Sequence, residues 1–200
     1  MRALRPALFW LLALVVCEPA LAHSPIEGIG DFYNGLFHPA LVPAHLLLLI
    51  ALGFLIAQKG IYKNRIAFPI FLAASVTGLI IAWFHPVGDT QIVLLSAAAI
   101  VGLAVAADLP VGHYLSATAA ALAGLLVGID SAQETLAGRE KLVTFLGTGL
   151  GMNLLFVYSI GIVDYFNSKP WQKIGVRIIG SWVAASSLLV LALSLSSGMK

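Results

Sequence analysis

Six apolar stretches follow one another through the chain, near residues 38–57, 66–84, 91–107, 113–129, 143–163 and 174–196, joined by short loops. A bilayer core takes about 20 apolar residues to cross as a helix, and no lipid-facing backbone group inside it can bond to water. Such a chain has few options beyond a bundle of membrane-crossing helices. Only 10% of the residues are charged and 60% are hydrophobic, where a soluble domain carries roughly 25% charge. The expected fold is an all-α integral membrane protein, a single six-helix domain over residues 23–200 with the lipid bilayer as its first partner. A net charge of +2 points to no nucleic acid partner.

Residues 1–22 read as a secretory signal peptide. Arg2 and Arg5 form its basic head, residues 7–16 its apolar centre, and Ala20-Leu21-Ala22 a small-x-small cleavage site. Cleavage removes Cys17, the only cysteine, and one cysteine allows neither an internal disulfide nor a thiolate-rich zinc site. An uncleaved first helix is the alternative. A lipoprotein reading of Cys17 is weaker, because Val16 stands where a small residue is expected. His23 becomes the mature N-terminus, where an α-amine beside an imidazole can chelate a transition metal; a solvated terminal histidine is the plainer reading.

Lysine and arginine set the orientation. A mature N-terminus in the periplasm places Lys59, Lys63, Arg65, Lys169, Lys173 and Arg177 on the cytoplasmic side of the inner membrane. Arg139, Lys141 and Lys200 are left outside. Glu27, Asp31, His38, His85, Asp89, Asp130, Glu134 and Glu140 then gather at the outer boundary. They form either a vestibule that concentrates cations or merely the acids that positive-inside topology leaves there.

The head of the first stretch carries the most unusual chemistry, His38-Pro39-Ala40-Leu41-Val42-Pro43-Ala44-His45. An ionisable side chain at membrane depth is costly and marks a functional site by default. On one continuous helix the two rings share a face about 10 Å apart, which suits two stations on a path rather than two ligands of one ion. Pro43 lacks an N–H and frees the Pro39 carbonyl between them. His45 is suited to nickel, cobalt, copper or zinc, or else to bonding a neighbouring helix.

Asp130 and Glu134, four residues apart at the end of the fourth stretch, would with Gln133 form an outer gate near His38. Gln91 and Asn153 are the polar groups of a pathway, although Asn153 bonding across helices is the favoured structural reading. His113 is either solvated or an exit station, and Asp164 balances nearby lysines. Gly124/Gly128 and Gly147/Gly151 are GxxxG pairs, expected to be contact faces between helices. No HExxH, GxSxG or phosphate-binding glycine loop is present, so neither enzyme chemistry nor a nucleotide cofactor is indicated. Haem ligation by His45 and His113 is disfavoured by their different depths.

These residues resemble the HupE/UreJ family of small bacterial membrane proteins. The resemblance rests on Gly35-Leu36-Phe37-His38-Pro39 with His45, Ser96 in an Ala/Gly-rich third stretch, Gly124–Gly128 ahead of Glu134, and Phe145-Leu146-Gly147. It implies a six-helix permease for nickel or cobalt. The family pattern has an Asp where Ala44 stands, a Gly at Val42, an acid at Gln91, and histidines at Val127, Ile129 and Ser131. His38, His45, Asp130, Glu134 and the terminal His23 remain as candidate metal ligands. Two functions follow as expectations: a divergent permease taking the ion in past His38 and His45, or a non-catalytic assembly subunit of a larger membrane complex. A copper- or haem-handling protein built on His23 is a third, weaker reading.

Overall fold

The computed structural model describes residues 28–85, 90–133 and 136–197. The signal peptide, His23 and Glu134 lie outside the described residues. In chain order the helices are α1 (Asp31–Leu41), α2 (Pro43–Ala57), a 3-10 turn (Ile61–Asn64), α3 (Ala67–Phe84), α4 (Gln91–Ala106), α5 (His113–Asp130), α6 (Gly138–Phe166) and α7 (Pro170–Ser197). Among the described residues there is no strand.

The first apolar stretch departs from expectation. It begins earlier, at Asp31, and it is two helices bent by 68° at Val42. A residue before proline is pushed out of the helical region by the proline ring, and Val42 is extended at φ −83°, ψ 112°. Pro43 then starts α2 at a position where its missing N–H costs nothing. The Val42 N–H closes α1 on the His38 carbonyl at 3.1 Å.

α2 is apolar on every side, and a helix of that kind belongs in the interior. Leu48, Leu49, Leu52 and Ile56 are fully buried. The other helices pair around it: α3 with α5, α1 with α6, and α4 with α7, while α2 packs on α4 and α6. Outward faces carry exposed Leu72, Val76, Ile80, Leu146, Leu150, Leu189 and Leu193, an apolar surface that a bilayer covers. The protein is a membrane protein. α3, α5, α6 and α7 are each long and apolar enough to cross, and the bent α1–α2 pair makes a fifth crossing if counted as one span. α4 has 16 residues, about 24 Å of helix, short of a core about 30 Å thick.

Both GxxxG pairs are contact faces. A Cβ on Gly128 would sit 2.7 Å from the Ser75 carbonyl oxygen of α3. A Cβ on Gly147 would collide with the Phe32 carbonyl of α1, and one on Gly35 with the Thr144 carbonyl of α6. These obstacles are backbone atoms, which cannot rotate away. Gly147→Leu is expected to unseat α1 from α6 and cost about 1–3 kcal/mol, as overpacking does. A thermal scan of the purified protein in mild detergent reads the loss directly.

The end of the bundle at residues 58–65 is tied by amides. Gln58 Nε2 donates to the Val105 carbonyl at 3.0 Å and Asn167 Nδ2 to the Gln58 carbonyl at 2.7 Å. Lys59 pairs with Asp108 at 2.8 Å. This end anchors α2 while its other end carries the polar cluster.

Candidate metal-binding cluster

The bend at Val42 decides the geometry of the histidines. Instead of two stations about 10 Å apart on a continuous helix, the His38 and His45 rings meet edge to face with centroids 5.4 Å apart. The expectation of well-separated stations is therefore corrected, because the 68° bend between α1 and α2 lies between the two histidines and closes their rings together. His45 is completely buried and His38 is 5% exposed.

Asp130, the last residue of α5, completes the cluster. Its Oδ2 lies 2.8 Å from His45 Nε2. Its Oδ1 accepts the Thr90 hydroxyl in a short hydrogen bond and the Thr90 N–H at 3.3 Å. The carboxylate thus ties the start of α2, through the His45 ring, to the start of α4, through Thr90. His45 Nδ1 is buried and has no hydrogen-bond partner among the described residues. Thr90 is the member that sequence reasoning did not single out. It stands immediately before an apolar run, as a helix cap does, but its side chain bonds Asp130 and not its own helix.

The other predicted residues fall elsewhere. Asn153 donates to Ser75 Oγ at 3.2 Å and to the Gly149 carbonyl at 2.8 Å, tying α6 to α3 as a cross-helix brace. Gln91 follows Thr90, and its Nε2 makes a long contact of 3.5 Å with Ser194 Oγ on α7. His113 heads α5 while Asp130 ends it, so His113 and His45 are separated by about 25 Å of helix. That separation removes them as a haem pair. Among the described residues no three His, Cys, Asp or Glu side chains are grouped so as to hold a metal ion.

A family model described as HupE / UreJ protein matches residues 11–190. The chain belongs to the HupE/UreJ family. No curated protein and no solved structure matched it. All four residues of the cluster, His38, His45, Thr90 and Asp130, fall inside the HupE/UreJ match. Ala44, where the resemblance implied an Asp, is 1% exposed and packs as part of the core. Ser131, where it implied a histidine, donates to the Val127 carbonyl at 2.7 Å and serves as a helix-end bond. At the bend this HupE/UreJ chain therefore holds one imidazole–carboxylate pair, His45 with Asp130, and the His38 ring stacked beside it.

Proposed function

We propose that the protein is a permease for a divalent transition metal, nickel or cobalt, with the ion taken in from the periplasmic side past His38, His45 and Asp130. The observation that carries this reading is the 2.8 Å contact between His45 Nε2 and Asp130 Oδ2 in a nearly buried place. Borderline metals bind imidazole nitrogen and carboxylate oxygen at about 2.0–2.2 Å, so two adjacent ligands of one ion stand about 3 Å apart. The bridging proton and a metal ion thus make similar demands on the pair. An incoming ion takes the place of the proton between nitrogen and oxygen, and a proton returns to the pair when the ion moves on. His38, packed edge to face on His45, supplies a second imidazole next to that position.

The His45–Asp130 pair with the His38 ring beside it falls short of a three-donor group, and so small a set suits an ion that passes rather than one that stays. The membrane potential favours inward movement of cations by about 2.3 kcal/mol per charge per 100 mV, and no nucleotide is required. In this reading the six apolar stretches all contribute to one inner-membrane unit, with α4 completed by the residues around it.

The absence of a three-donor group among the described residues favours, as a second reading, an assembly subunit that keeps the scaffold. Proteoliposomes separate the two. The permease reading expects cobalt or nickel influx by the purified protein alone. Vesicles that admit no more metal than protein-free controls contradict it.

A further inference from the structure

The basic end of the bundle carries a cavity remote from the histidines. A volume of about 360 Å3 opens beside the C-terminal end of α2, with Ile61, Phe68, Val157 and Ile160 on its walls and Arg65 in its lining. Local sequence fixes that arginine. Gly60 adopts φ 99°, a left-handed conformation that turns the chain after α2. Asn64 Nδ2 then donates to the Ile56 carbonyl at 3.0 Å and pins the 3-10 turn against the helix it has just left. Asn64 is 1% exposed, so this hook is buried.

Charge tells what the cavity accepts. Arg65 and Lys63 are both exposed, and among the described residues neither forms an ion pair. Lys59 nearby is engaged by Asp108. An apolar volume with an unpaired guanidinium at its edge is complementary to an amphiphile with a negative head. Guanidinium binds phosphate oxygens in a fork of two hydrogen bonds, and anionic lipid heads attract basic groups beside membrane helices.

We infer that this cavity binds an anionic phospholipid, with an acyl chain against Phe68, Val157 and Ile160 and the phosphodiester on Arg65, with Lys63 alongside. The lipid then covers the seam where the α2 end, the 3-10 turn, α3 and α6 meet. The proposal is independent of metal transport.

Native mass spectrometry of the full chain tests it, with the protein released from micelles containing equal amounts of phosphatidylglycerol and phosphatidylcholine. The wild type is expected to retain phosphatidylglycerol preferentially. Arg65→Gln is expected to lower that adduct about fivefold, the weight of one basic residue at an anionic surface. Val157→Trp fills the cavity without changing charge and is expected to lower it as well. Lys173→Gln removes a basic residue outside the cavity and is expected to leave it unchanged. Equal adducts in wild type and Arg65→Gln overturn the proposal. So does an equal loss in Lys173→Gln, which would mean diffuse charge attraction, or full retention in Val157→Trp.

Discussion

His45→Gln is expected to bring nickel- or cobalt-dependent accumulation in whole cells down to the level of cells lacking the protein. The effect should exceed the 10–100-fold typical of losing a group that merely supports a metal ligand. Glutamine is the informative replacement. It retains an N–H that can reach Asp130 and so keeps the carboxylate satisfied, but its amide offers no imidazole nitrogen to a borderline metal. His45 is fully buried, so truncation to alanine also opens a hole and confounds the result with misfolding. Accumulation unchanged in a His45→Gln variant of normal abundance removes His45 from the path.

The second large effect is at Asp130, where stability and transport are expected to separate. Asp130→Ala strips the partner from His45 Nε2 and from the Thr90 hydroxyl at once. Each buried group left unsatisfied costs about 1–3 kcal/mol. In a chain of this size each kcal/mol lowers the midpoint by about 2–4 °C, so the variant should melt clearly below wild type. Asp130→Asn keeps the shape and an acceptor oxygen, and is expected to recover most of the melting temperature. It should not recover uptake, because the anionic ligand is gone. A stable Asp130→Asn protein that still accumulates metal shows that the carboxylate is only a structural tie.

The all-helical membrane class was legible from hydrophobicity alone, but the six expected spans were not all found: four helices are long enough to cross, the bent α1–α2 pair makes a fifth if counted as one, and α4 is shorter. The contact role of the glycine pairs was legible too, because a missing side chain at i and i+4 leaves one flat face. The bend was only half legible. Pro43 announced a break, but read as a lost hydrogen bond inside one helix it left the rings two turns apart. The stronger effect is steric, the proline ring forcing Val42 out of the helical region, and it redirects a whole helix. The early start of α1 had a signal in Gly30-Asp31, a left-handed glycine followed by an acid in the first turn. Thr90 had none that pointed to Asp130, because their meeting depends on how α4 and α5 are placed, and pairing of helices across a bundle leaves little trace in local sequence. Asn153 was ambiguous for a related reason: an intramembrane amide serves a pathway or a brace with the same chemistry, and only the partners Ser75 and Gly149 tell them apart.

The bend at Val42 brings the His38 and His45 rings to 5.4 Å, and under the proposed function the two serve one cation. Equilibrium dialysis of the purified protein against cobalt, followed by elemental analysis, tests it most directly when the wild type is run beside a His38→Gln/His45→Gln double variant. Saturable binding of one cobalt per chain is expected in the wild type and only background in the variant. Equal cobalt in the two proteins, or none in either up to millimolar concentration, contradicts it.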